Sequence, residues 1–293
     1  MNYYNEIKKE LVNNEINRKV KNYSINRSDL NTYYNVGKML VSAGKHYGEG
    51  IINEYSKRLT KELGKGYTAT RLRYYRRFYD VFVKCPTLSD KLSYSHYCEI
   101  IWLDGNKMNY YIELSIKENL SVRQLRERVK NREYERLPEK TKRKLITKEE
   151  RKIEDFVKNP ILIKNSTDTE EISEKILQDL ILENIPAFLK ELGSGFTFIE
   201  NEYKIRIGNT YNYIDFLLYN IEFNSYVVVE LKVGELKKEH IGQIQVYMNY
   251  IDDNLRRINQ DKTIGIIVTK KHSEYIIRYS SDKRIISREY ELV

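Results

Sequence analysis

The stretch Tyr213–Gln243, YIDFLLYNIEFNSYVVVELKVGELKKEHIGQ, constrains this chain more than any other part of it. It holds two apolar runs, Tyr213–Tyr219 and Tyr226–Leu231, each short, rich in Val, Ile and Tyr, and readable as a buried strand. Asn220–Ser225 between them carries turn residues and predicts a hairpin. Asp215, Glu230 and Lys232 stand inside or at the end of these runs. A charge in such a strand is costly unless it is paired or holds a metal. Side chains alternate along a strand, so Glu230 and Lys232 share a face, and the hairpin brings Asp215 beside Glu230.

Two carboxylates that converge at a strand end repel each other unless a cation lies between them. Oxygen donors with no His or Cys nearby suit Mg²⁺ or Mn²⁺ rather than zinc. Such a metal lowers the pKa of a bound water and neutralises the charge of an in-line displacement at phosphorus. Lys232 would then orient or deprotonate the water, or stabilise developing charge. The competing reading is an ion pair at a sheet edge, and the residues alone weigh the two equally.

The surroundings of this stretch read as one α/β unit. Ile172–Leu192 has helical apolar spacing, and Pro186 should kink or split it. Phe196–Ile207 reads as a strand ahead of the hairpin. His240–Leu255 returns to helical spacing and carries Gln243, and Thr263–Thr269 (TIGIIVT) suits a sheet interior. Tyr275–Tyr279 and Ile285–Tyr290 read as weaker strands. The order helix, three strands, helix, strand predicts an α/β sandwich around a mixed sheet.

The first half reads as helices throughout. Apolar spacing predicts helices over Tyr4–Tyr23 (Ile7, Leu11, Ile16, Val20), from an Asp29 cap through Leu40, and over Ile51–Leu63 before Gly64-Lys65-Gly66. Thr68–Asp80 then interleaves Arg71, Arg73, Arg76 and Arg77 with Tyr74, Tyr75, Phe78 and Tyr79, with Thr68 or Thr70 as cap. A basic helix after a Gly turn resembles the recognition helix of a helix-turn-helix; the plainer reading is a core helix with a solvated basic face. Ser93–Leu103 is expected to be helical, with His96 a packed or surface histidine. Ser121–Gln124 is a capping box that opens a basic helix stopped by Pro138.

Charge divides the chain. Net charge is +9, but residues 1–150 carry +12 and residues 151–293 carry −3. A basic half joined to a near-neutral half suggests a polyanion-binding module attached to something else. The domain reading is therefore 1–138 helical and basic, for nucleic-acid binding or assembly; 139–165 a charged, partly helical linker; and 166–293 the α/β domain. Cys85 and Cys98 are the only cysteines, which implies no disulfide framework and a reducing cytoplasm. No apolar run approaches a membrane span, so the expectation is a soluble intracellular protein without a membrane partner.

The D…ExK arrangement with αβββαβ order resembles the PD-(D/E)xK nuclease superfamily. A longer set of motifs is similar to the YhcG-like family of candidate bacterial nucleases: Phe188–Gly193 with Gly195-Phe196, Tyr213–Tyr219, Val229–Gly234, Gly242-Gln243 with Tyr247, and Ile264–Ile267. The first half resembles that family's amino-terminal domain at Tyr33-Tyr34-x-x-Gly37, Gly66–Phe78, Ser93–His96 and Leu120–Leu125. The resemblance implies an α+β two-domain protein, an all-helical domain followed by a restriction-endonuclease-like domain. It implies Asp215 and Glu230 as metal ligands with the Leu231 carbonyl as a third, Lys232 as the catalytic lysine and Gln243 as an accessory residue. Tyr247 would support that helix face. Where the family places a carboxylate on the first helix this chain has Gln178, and Glu174, Asp179 or Glu183 would have to substitute.

The expected function is Mg²⁺- or Mn²⁺-dependent hydrolysis of phosphodiester bonds in nucleic acid, DNA ahead of RNA, with a homodimer as the candidate assembly by analogy with enzymes of this fold. Arg71, Arg73, Tyr74, Arg76 and Arg77 would contact phosphates and bases. One rival is a catalytically impaired adaptor that keeps the nuclease-like fold for binding within a larger defence or restriction-type system. A second is a transcriptional regulator built on the helical half.

Overall fold

The computed structural model describes residues 3–19, 25–48, 50–84, 91–147, 149–150, 152–166, 172–280 and 282–293. Val20 and Cys85, both used above, lie outside the described residues. The chain divides into two compact units, one ending at Tyr134 and the other starting at Glu135.

The first unit contains α1 (Tyr3–Lys19), α2 (Ile25–Tyr47), α3 (Ile51–Leu63), α4 (Ala69–Lys84), α5 (Tyr94–Ile100), α6 (Gly105–Lys117) and α7 (Val122–Lys130). Its core is built from tyrosine as much as from aliphatics. Tyr33 stacks on Tyr75 with ring centroids 4.5 Å apart, and Phe78 packs edge-on against Phe82 and Tyr97. Some hydroxyls at this core find acceptors, Tyr67 on Glu15 (2.6 Å) and Tyr110 on Glu133 (3.0 Å), whereas those of Tyr4, Tyr75 and Tyr94 are buried without one. Thr68 is the residue that caps α4, accepting from the Arg71 N–H at 3.3 Å. The Ser121–Gln124 capping box forms.

Two helix boundaries differ from the sequence reading. Asp29 is no N-cap: α2 starts at Ile25, and Asp29 is buried inside it as the acceptor of the Asn14 side-chain amide at 2.7 Å. The α7 helix stops at Lys130, well short of Pro138. Arg132 takes a left-handed conformation (φ 51°), and Arg128 turns to bind Glu118 and Glu133.

Helices α2 and α4 pack directly where Gly37 lies against the Tyr75 backbone. A Cβ at Gly37 would overlap the Tyr75 carbonyl oxygen and come within 2.8 Å of Tyr79 Cβ. Gly37→Ala should therefore destabilise the helical unit by at least about 1–3 kcal/mol in urea unfolding. An unchanged midpoint would mean that the two helices do not meet there.

The second unit contains α8 (Glu139–Thr147), a 3-10 turn at Ile153–Asp155, β1 (Ile161–Ile163), α9 (Glu174–Glu183), α10 (Ile185–Leu192), β2 (Phe196–Ile207), β3 (Thr210–Asn220), β4 (Ser225–Glu235), α11 (Lys238–Asn254), β5 (Asp261–Lys271), α12 (Glu274–Arg278) and β6 (Ile285–Leu292). The sheet order is β1-β6-β5-β4-β3-β2, antiparallel from β2 to β4 and parallel from β4 to β1. One face packs on α9 and α10 through Leu177, Ile181 and Phe188 with Val227, Val229 and Leu231. The other packs on α11 through Ile244, Met248 and Ile251 with Val228 and Ile267. The expected α/β sandwich and mixed sheet are present. Pro186 splits the long helix as expected: Asn184 ends α9 and caps α10 by accepting from the Ala187 N–H at 3.3 Å.

The described residues of 139–165, read above as a charged linker, include docked structure. Ile153, Val157, Ile161 and Ile163 enter the core, and β1 pairs with β6 through Ile161↔Tyr290. Of the charges that made this stretch look solvated, Lys144 is tied inward to the buried Asp155 at 2.6 Å, while Lys140 pairs with Glu154 at the surface at 3.2 Å. Tyr275–Tyr279 is helical rather than a strand. Adjacent Ile276 and Ile277 both pack on the α11-side core, which successive strand residues, pointing to opposite faces, cannot do. No helix among the described residues is long and apolar enough to cross a membrane.

Candidate active site

The β3–β4 hairpin is locked by its turn. Asn220 Oδ1 accepts from the Glu222 and Phe223 N–H groups (3.0 and 3.1 Å), and Asn224 takes a left-handed conformation (φ 46°). The register runs from Asn220↔Ser225 to Phe216↔Val229, so the next position sets Asp215 opposite Glu230. The Leu231 N–H donates to Asp215 Oδ2 at 2.7 Å. Glu230 is 2% exposed, and its Oε1 has no hydrogen-bond partner. Lys232 Nζ lies 3.7 Å from Glu230 Oε2 and 3.3 Å from Glu174 Oε2. The structure thus brings Asp215, Glu230 and Lys232 together and adds Glu174, the first residue of α9.

Electrostatics follow from burial. The Asp215 carboxyl is pushed up by burial. Glu230 is pushed up to about 8 by burial first and by the Asp215 charge second. Burial works against the charge on Lys232, but Glu230, Glu174 and Asp215 outweigh it and raise its pKa. Lys232 is therefore a fixed cation at neutral pH. Of the roles open to it on sequence grounds, stabilising negative charge fits and accepting a proton does not.

The first-helix carboxylates differ in their contacts. Gln178, 4% exposed, donates to the Asp215 backbone carbonyl at 3.4 Å and accepts from Lys175. Asp179 pairs with Lys175 and Glu183 with Ser166, whereas Glu174 reaches Lys232. Spacing alone could not choose among them, because all three are on the same helix.

On α11, Gln243 donates to the Tyr247 hydroxyl at 3.1 Å. It does not hydrogen-bond the trio. Tyr247 links it to them: burial raises the phenol's pKa, and the Glu230 and Asp215 charges add to the rise. The sequence reading missed His240, whose Nδ1 accepts from the Lys237 N–H at 3.2 Å. Burial and then the Lys232 charge lower its pKa, which places it in the field of the same cluster. The only signal in the sequence was its position three residues before Gln243.

A divalent cation fits the donor set. The orphaned Glu230 Oε1 and two buried carboxyls with raised pKa values describe a site short of positive charge. Among the described residues no three His, Cys, Asp or Glu side chains converge on one point, so two carboxylates plus backbone and water oxygens would complete the shell.

The basic residues of α4 belong to the helical unit. Arg73 is exposed and donates to Asn53 at 3.1 Å, Arg71 donates to the Gly66 carbonyl, and Arg77 donates to the Ile101 carbonyl. Arg76 is partly buried. Tyr74 meets Trp102 edge-on at 5.4 Å, and the Arg77 guanidinium lies 5.5 Å from the Trp102 ring centre. Trp102 is 54% exposed, a surface aromatic the sequence reading had counted as part of a helix.

Residues 154–293 match the family profile described as "YhcG PDDEXK nuclease domain", and residues 6–136 match "DUF1016 N-terminal domain". The Escherichia coli (strain K12) protein YhcG, designated a candidate nuclease, is 22% identical over 282 residues, covering 81% of this chain and 75% of that protein. Among solved structures, a repair endonuclease from Pyrococcus abyssi aligns with a TM-score of 0.30 at 22% identity, over 43% of this chain and 49% of that one. The EndoMS-dsDNA2 complex aligns with a TM-score of 0.32 at 22% identity, over 44% and 50%. The chain spans about half the length of these two solved structures.

Proposed function

Because residues 154–293 belong to the YhcG PDDEXK nuclease-domain family and residues 6–136 to the DUF1016 N-terminal-domain family, we propose that this protein is a metal-dependent nuclease. The observation that carries this reading is the buried Asp215–Glu230 pair with Lys232 held beside it. Asp215, Glu230 and the Leu231 carbonyl would hold Mg²⁺ or Mn²⁺. The ion, when bound, supplies a water of lowered pKa and charge neutralisation at phosphorus. Lys232 presents a permanent ammonium to the developing charge. Glu174 fixes that ammonium from its far side. Gln243, steadied by Tyr247, orients the attacking water or a phosphate oxygen.

The substrate is nucleic acid, DNA ahead of RNA. The test is incubation of the full chain with plasmid, linear duplex, single-stranded DNA and RNA, in Mg²⁺, Mn²⁺ or EDTA. Cleavage in metal and none in EDTA is the expected result. Cleavage unaffected by EDTA would overturn the reading. Gln178 at the position of the family's carboxylate favours one alternative, an inactive binding adaptor, which predicts binding to these substrates without cleavage of any. We place the protein in the cytoplasm, with a homodimer as the assembly to test by light scattering.

In the helical unit, Arg71, Arg73, Tyr74, Arg76 and Arg77 form the proposed nucleic-acid surface, and Trp102 joins it. Arg73→Gln should lower the slope of log binding constant against log salt by about one. Trp102→Ala should weaken binding of single-stranded substrate by about 1–3 kcal/mol at constant slope. If neither binding nor slope changes, this face of the unit serves something else.

A further inference from the structure

Helix α12 turns two tyrosines to solvent. The Tyr279 N–H donates to the Tyr275 carbonyl at 3.1 Å, so the two residues stand one helical turn apart on the same face. Tyr275 is 75% exposed and Tyr279 is 79% exposed, while Ile276 and Ile277 between them hold the helix against the α11-side core. Exposed aromatics scattered singly need no explanation. Here both tyrosines line one open cavity of about 660 Å³ between α11 and α12, together with Lys238, Ile241, Ile276 and Ser280.

The walls divide by chemistry. Ile241 and Ile276 pack on the core and give the cavity an apolar floor. Lys238 is exposed at its rim. Two nearby lysines are paired, Lys237 with Glu239 at 3.5 Å and Lys271 with Glu235 at 2.6 Å. No described carboxylate comes within ion-pair distance of Lys238. Among the described residues no acid lines the cavity, because Glu274 of α12 lines a different one.

An apolar protein surface laid over the tyrosines would cover the rings and strand the ammonium. A strand of nucleic acid satisfies both, with a base on a phenol face and a phosphate on the lysine. A base stacked within a duplex has no face to offer, so the strand must be unpaired here.

The cavity also opens at the right end of the sheet. Strands β4 and β5 run parallel, with Lys232 beside Thr269 and Glu235 beside Lys271. Helices α11 and α12 start shortly after them, at the end that holds Lys232. Ile241 and Gln243 are about 200° apart around α11. The cavity therefore lies on one flank of that helix and Gln243 on the other, separated by one helix diameter of about 10–12 Å.

We propose that this cavity holds an unpaired base of the nucleic-acid substrate, stacked on Tyr275 and Tyr279, with the adjoining phosphate on Lys238. The substrate class is then nucleic acid with unpaired nucleotides beside the scissile bond. That the bound strand is a substrate rests on the nuclease reading; that it binds here does not.

Photocrosslinking of the full chain in EDTA tests it, with single-stranded oligonucleotides that carry one iodouracil and mass spectrometry of the joined peptides. Fluorescence anisotropy gives the affinities for labelled single strands and duplexes. Crosslinks to Tyr275 or Tyr279 are expected, and they report on this cavity whatever the helical unit contributes to binding. Tyr275→Ala with Tyr279→Ala should weaken single-strand binding about fivefold or more and leave duplex binding unchanged. Phe at both positions keeps the rings and should bind as wild type does. Lys238→Gln should lower the salt slope on single strands by about 0.7. The two rings are exposed and Ile276 and Ile277 remain, so these variants should fold. No crosslink to either tyrosine, or a double alanine variant that binds single strands as tightly as wild type, overturns the proposal. An equal loss on duplex and single strand also overturns it. So does a dimer that light scattering shows dissociating in the double alanine variant with strand binding unchanged, which would assign the cavity to a second copy of the chain. Crosslinks at Tyr275 without cleavage in Mg²⁺ or Mn²⁺ would remove the nuclease reading and keep this site; cleavage without crosslinks would do the reverse.

Discussion

Lys232→Met should slow cleavage by about 10²–10³-fold in single-turnover assays while leaving nucleic-acid binding by the helical unit intact. The charge on Lys232 lowers the pKa of both Asp215 and Glu230, so removing it makes their site more negative. Divalent-cation affinity should therefore hold or rise at pH 8 as the rate falls. A lysine that merely braced the strand end would lose affinity and rate together. Lys232→Arg, which keeps the charge, should recover part of the rate. A wild-type rate in Lys232→Met would remove this residue from the chemistry.

Glu230→Gln should do two opposite things: abolish cleavage and stabilise the fold at pH 8. The sign follows from the raised pKa. Below the ordinary value of 4.5 the carboxyl is protonated in folded and unfolded chains alike. As pH climbs towards about 8, the unfolded chain releases this proton and the folded chain keeps it, so wild-type stability declines across that window. The amide has no proton to release and no such decline. Allowing for the coupling to Asp215, the gain at pH 8 is on the order of 2 kcal/mol, or roughly 4–8 °C in Tm for a unit of this size. Mg²⁺ should narrow the difference by stabilising the wild type alone. An ion pair at a sheet edge predicts the reverse, a loss of about 3–5 kcal/mol when one buried partner goes. A lower Tm for Glu230→Gln at pH 8 would thus favour that reading.

Much of the second unit could be read from local pattern. Two short apolar runs and the Asn220–Asn224 turn signals place β3 and β4, and the hairpin register follows from them. Pro186 marks the break between α9 and α10 because its effect is local. The misreadings share a different cause. Tyr275–Tyr279 carries β-prone residues, but Ile276 and Ile277 meet the α11-side core side by side, and packing overrode propensity. The 139–165 segment looked like a solvated linker because its partners Glu191 and Tyr290 lie further along the chain. Arg136, just before it, pairs with Glu191, and β1 is only three residues long.

The same division runs through the site. Residue order alone implied that Asp215, Glu230 and Lys232 meet, because strand alternation and one short turn settle which side chains share a face. Only the tertiary structure decided that Glu174 rather than Asp179 or Glu183 holds Lys232, that Gln178 supports the Asp215 backbone, and that Lys232 stays charged. These outcomes depend on desolvation and on charges brought together from distant parts of the chain, Glu174 lying 58 residues before Lys232. Periodicity carries no record of either.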